Sequence, residues 1–157
     1  MDLIDLLRNN EGDIIDEATR AIARSGIRAY TESDRQQMNE QLKTLFDSVM
    51  ESLAIKSATP MMNCAEIVAE QRFSSGFSLR QVQTAINVLE ECIWEHIQNK
   101  MEPKEYAIAF GRVSTALRIG KEAIAAVYLA HVTKREVPSL DRMDEFAGTP
   151  VFQTVVK

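Results

Sequence analysis

The stretch Ser78-Leu79-Arg80-Gln81-Val82-Gln83-Thr84-Ala85-Ile86-Asn87-Val88-Leu89-Glu90-Glu91-Cys92-Ile93-Trp94-Glu95-His96-Ile97 decides the fold. Within it Leu79, Val82, Ile86, Leu89, Ile93 and His96 recur at alternating spacings of three and four. That rhythm puts all six side chains on one side of an α-helix, so another helix or another chain must cover the stripe. Ser78 and Gln81 form a Ser-x-x-Gln capping box, in which hydroxyl and amide each satisfy an orphan backbone N–H at the helix start. Ser74-Ser75-Gly76-Phe77, just upstream, lacks the glycines and lysine of a phosphate loop and reads as a helix terminator followed by the next cap.

The same rhythm extends in both directions. Downstream, Glu102-Pro103 opens a long helix with the stripe Tyr106, Phe110, Val113, Leu117, Gly120, Ile124, Val127 and His131, expected to run to about Lys134. Upstream, Thr59-Pro60 supplies a cap and a first-turn proline for a helix from Met61 to about Phe73. Before it, Met38, Leu42, Leu45, Val49 and Leu53, widened by Phe46 and Met50, mark a helix capped by Thr31 or Ser33 that stops near Ser57. Asp2 to Asn9 and Asp13 to Arg24 read as one helix or as two meeting at Gly12, with Ser25-Gly26 as the stop. Alternating strand patterns are nearly absent, so the expected class is all-α, a bundle of about five to six helices. Residues 1–137 form the domain. After Val137-Pro138 the pattern decays, and residues 138–157 read as a linker, a docking tail or the start of something further.

The chain has 157 residues, enough for one domain with its own core. Its formal charge of −5 and pI near 5.1 provide no footprint for a phosphate backbone, so nucleic acid is not an expected partner. No apolar run approaches the ~20 residues that span a bilayer, and Asp2 and Asp5 spoil a signal-peptide reading; a cytoplasmic protein with no membrane partner is expected. Cys64 and Cys92 sit inside helical patterns and read as reduced, buried thiols.

The candidate chemistry is sparse. His96 and His131 fall on apolar stripes and are the residues that could ligate haem iron or a metal. In an antiparallel hairpin turning near Met101 they lie about 37 Å apart at 1.5 Å per residue, too far to share one ion. The commoner role is a core-edge histidine bonded to a neighbour, and no cofactor and no metal are expected. Cys92 and His96, four apart, could make half a zinc site, but the other half is missing. Glu90, Glu91 and Glu95 read as a solvated face beside Trp94, itself half-buried core or an interface anchor. No nucleophile can be paired with a base, so no enzyme is expected.

Met38, Phe46, Met61, Met62, Phe73, Phe77, Phe110 and Tyr128 are the candidates to line an apolar ligand pocket, although such residues at helical spacing are usually core. Gly111, Ser114 and Gly120 interrupt the last helix, where each glycine costs about 1 kcal/mol against alanine. Close approach of another helix would compensate. With Ile124 they form a candidate contact surface, within the bundle or across a dimer axis, the intrachain contact being the preferred reading.

The order of segments carries a resemblance. An opening helix with Arg8-Asn9-Asn10-Glu11-Gly12-Asp13-Ile14-Ile15 and a long second helix precede Ala69-Glu70-Gln71-Arg72-Phe73-Ser74-Ser75-Gly76-Phe77-Ser78-Leu79-Arg80-Gln81-Val82 and Leu89-Glu90-Glu91-Cys92-Ile93-Trp94. From Leu3 to Leu129 this resembles the N-terminal sensory domain of RsbR-type (RsbRD) stress-response co-antagonists. The resemblance implies a globin-like helical fold without haem, a homodimer, and a signal passed through the final helix to a following STAS domain, in place of which the 138–157 segment reads as a tail. The expected function is a non-enzymatic sensory domain that dimerises and responds to a small apolar ligand or a regulatory protein partner. A haem- or other cofactor-binding globin-like sensor and a pure protein–protein adaptor are the alternatives.

Overall fold

The computed structural model describes residues 2–25 and 32–135. They form five α-helices, α1 (Leu3–Arg24), α2 (Glu32–Ile55), α3 (Thr59–Ser74), α4 (Leu79–Lys100) and α5 (Tyr106–Arg135), with a 3-10 turn at Pro103–Glu105. There is no strand among the described residues, and the fold is the all-α bundle that the stripes predict. No helix among them is long and apolar enough to cross a membrane.

Cross-helix contacts fix the directions. Lys43 pairs with Glu11 and Asn39 with Thr19, so α1 and α2 are antiparallel. Gln41 bonds Gln71 while Met61 N–H donates to Ser52 Oγ, so α2 and α3 are antiparallel too. Tyr106 reaches the Gln98 carbonyl and Lys121 reaches Asn87, so α4 and α5 form an antiparallel hairpin. By contrast Met61 lies against Gly120 and Phe73 against Tyr128, so α3 and α5 run the same way.

The core is the meeting of the stripes. Val82, Ile86, Leu89, Ile93 and Ile97 of α4 are buried in one core with Leu6, Leu7, Ile14 and Ile22 of α1 and Leu42, Phe46 and Val49 of α2. At about 1.5–3 kcal/mol for each large apolar side chain removed from water, this burial is what holds the helices together. The capping box at Ser78 is formed in both directions, Gln81 N–H to Ser78 Oγ at 3.1 Å and Ser78 N–H to Gln81 Oε1 at 2.8 Å.

One reading left open is settled and two local readings change. Helix α1 runs unbroken through Gly12, an exposed position where an added Cβ would meet nothing, and the buried face from Leu3 to Ile22 outweighs one glycine's propensity cost. Thr59 does not cap α3: Ala58 holds the N-cap position without a side-chain bond, and Ser52 of α2 accepts the Met61 N–H instead. Glu102-Pro103 opens a 3-10 turn, and the α-helix starts at Tyr106. Helix α2 ends at Ile55, followed by Lys56 in the left-handed region at φ 55°. Gly26, Thr31, the Ser33 side chain and the expected boundary and tail beyond residue 135 lie outside the described residues.

Candidate functional site

The corner between α3 and α4 is built by a glycine. Gly76 has φ 86°, in the left-handed region open to a residue without Cβ. It lets Gly76 N–H bond the Phe73 carbonyl and Phe77 N–H bond the Arg72 carbonyl, the paired bonds of a Schellman termination. The turn drives Phe77 inward, where it is buried, with the Arg72 guanidinium 4.4 Å over its ring. Ala69, Arg72, Phe77 and Val82 are all buried, and together they form the inner face of this corner.

Helix α5 is clasped to the corner. Tyr128 Oη donates to the Phe77 carbonyl at 2.7 Å, and the Phe73 ring meets Tyr128 edge-on at 5.3 Å. One turn further along, His131 stacks on Phe73 at 4.2 Å, and its Nε2 pairs with the Glu70 carboxylate. Burial raises the Tyr128 hydroxyl pKa, with Arg72 opposing it. Phe73, Phe77 and Tyr128 line a cleft of about 340 Å³, and Met38 meets Phe77 across a void of about 20 Å³, about the room of one water.

The other expected pocket residues are dispersed. Phe46 is sealed in the core at 0% exposure, Met61 lies beneath Gly120, and Met62 is 45% exposed. Phe110 packs with Trp94 and Tyr106 at the opposite end of α5, each ring pair 5.6 Å apart. Glu70 and Arg72 join the site without having stood out in the sequence. Their signal is present in the Ala69-to-Val82 motif, but its three-dimensional meaning needs α5 alongside.

His96 and His131 stand at opposite ends of the hairpin. His96 Nε2 is 3.5 Å from a Glu17 carboxylate oxygen, and its Nδ1 is buried without a hydrogen-bond partner. Among the described residues no cluster of three or more His, Cys, Asp or Glu side chains could hold a metal ion. Cys64 and Cys92 are free and buried. Burial first, then the carboxylates of Glu17, Glu95 and Glu91, push the Cys92 thiol from 9.0 up to about 11 against the opposing charge of Arg20. Burial likewise raises Cys64.

The expected contact surface on α5 divides in two. A Cβ on Gly120 would stand 2.6 Å from Met61 Cε, so this glycine admits α3, an intrachain contact; Ile124 is buried in the same core. Gly111 is exposed and has nothing within 4 Å of an added Cβ. Ser114 donates to Glu90 at 2.8 Å. Glu90 therefore departs from the solvated face expected for it: its side chain is only 12% exposed, held between α4 and α5 by Ser114 and by Lys121 at 3.7 Å. Glu91 and Glu95 do face solvent. Trp94 is partly buried against the core, its Nε1 without a hydrogen-bond partner.

Helix α5 is thus tied to its neighbours by the Tyr128 hydroxyl bond in its exit half and by the polar seam at Glu90, Ser114 and Lys121. By its family match the chain falls in the class of stress-response signalling domains, a family that is regulatory and not one of enzymes. The family model of the RsbT co-antagonist protein RsbRD N-terminal domain matches residues 12–145, and the chain belongs to that family. No curated protein matches the chain, and no solved structure does.

Proposed function

We propose that the chain is a non-enzymatic sensory domain that pairs as a homodimer and relays the state of its bundle through α5 to a regulatory partner. The family's name supplies the setting, co-antagonism of RsbT, which we read as stress-response signalling. The observation that carries the relay is the clasp of Tyr128 on the Phe77 carbonyl. It joins the exit half of α5 to the corner that ends α3 and starts α4, so a signal that repacks this corner has a direct hold on α5. Two packings of one helix, with a ligand or partner favouring one of them, are sufficient for a switch. The seam of Glu90, Ser114 and Lys121 then acts as the fixed side against which the far half moves.

Native mass spectrometry of the purified chain, followed by the same sample denatured, tests the pairing. A dimer is the expected species. A monomer at micromolar concentration overturns the paired mechanism, and an additional mass of several hundred daltons lost on denaturation would identify the signal as a bound small molecule.

A further inference from the structure

A groove lies along the opposite half of α5 from the Tyr128 bond. The α2–α3 corner and the first half of α5 line an open groove of about 740 Å³, within the range of small-molecule sites. Its floor is apolar, with Leu53, Met61 and Ala116 buried, and it is extended outward by Ile108, 70% exposed. The charged residues of the lining are Lys56 and Arg112, both cationic, in a chain whose net charge is −5. Neither forms an ion pair among the described residues; Arg112 only reaches the Leu53 carbonyl at 3.5 Å. Lys56 holds the left-handed backbone at φ 55°, a conformation that glycine adopts freely and side-chain-bearing residues rarely do. The chain thus carries a lysine at a position that favours glycine, on the rim of an apolar groove.

We infer that this groove binds a monomeric anionic amphiphile, a carboxylate with an aliphatic chain. The carboxylate is held at Lys56 and Arg112, and the chain lies along Leu53, Met61 and Ala116. Apolar floor and cationic rim match the two halves of such a molecule, and neither half alone accounts for the other. Binding in the groove is independent of the protein's role. Only the consequence, that filling it biases α5, rests on the sensory function proposed above.

The test is calorimetric titration of the whole chain with dodecanoate below its micellar concentration, with dodecanol, anionic vesicles and an acidic amphipathic peptide as comparison arms. Saturable binding at one site per chain is expected, at least tenfold weaker for Lys56→Gly and for Arg112→Gln, and weaker for dodecanol. Lys56→Gly relieves the backbone conformation, so its loss of binding cannot be ascribed to misfolding. Failure of dodecanoate to bind, binding unchanged in both variants, or binding of vesicles alone overturns the proposal. Binding of the peptide in preference to dodecanoate also overturns it, assigning the groove to a protein partner. Because the subunit count is measured separately, a monomer that binds dodecanoate would refute the paired mechanism and leave this site standing.

Discussion

Tyr128 Oη donates to the carbonyl of Phe77, 51 residues earlier, at 2.7 Å, and both residues are buried. The bond stitches the exit half of α5 to the turn between α3 and α4. Tyr128→Phe keeps the ring contact with Phe73 but leaves a buried carbonyl without this donor. A loss of about 1–2 kcal/mol is expected from the urea midpoint, as for a buried hydrogen-bond partner removed.

The two glycines of α5 respond in opposite directions. Gly111→Ala adds a methyl group into open space on an exposed turn and gains about 0.5–1 kcal/mol from helix propensity. Gly120→Leu forces several atoms into the place of the buried Met61 methyl and costs about 1–3 kcal/mol. Thermal unfolding of both variants checks the contrast.

Ser52, not Thr59, secures the start of α3. Ser52→Ala strips the buried Met61 N–H of its acceptor and costs about 0.5–2 kcal/mol, the range for a lost N-cap. Thr59→Ala, at an exposed first-turn position, changes stability little. Parallel urea titrations compare them.

The Cys92 thiol is expected to react slowly in the folded chain, where it is buried and its pKa is raised. A pKa moved from 9.0 to about 11 leaves about a hundredfold less thiolate at neutral pH, before access is considered. Native-state alkylation by a maleimide should be at least about a hundredfold slower than in urea. Stability follows with a definite sign. Between 9.0 and about 11 the folded chain retains a proton that the unfolded chain has lost, so stability falls as pH rises through that window. The raised Tyr128 hydroxyl acts in the same direction. Cys92→Ala should lessen the fall between urea midpoints at pH 8.5 and 10.

The stripes were legible because helix periodicity records burial directly: each of Val82, Ile86, Leu89 and Ile93 is buried as its spacing requires. The Ser78 box was equally local, since both of its partners lie within four residues. What escaped was whatever two distant segments make together. Ser52 lies nine residues from the N–H it caps, Glu90 is covered by Ser114 and Lys121 of another helix, and Tyr128 meets Phe77 across the bundle. The aromatic and methionine candidates were dispersed because residue type indicates that a side chain seeks cover and not which neighbour provides it. Phe46 and Met62 have similar apolar character, yet one is sealed and the other 45% exposed.

Hydrogen exchange along α5, wild type against Tyr128→Phe, tests most directly whether the exit half of α5 is held as a unit by the α3–α4 corner. Loss of protection is expected from Ile124 onward and in the Arg72–Phe77 turn, with α1 and the Glu90–Ser114 seam unchanged. Loss spread evenly over all five helices, or no loss in α5, would contradict a relay built on this clasp.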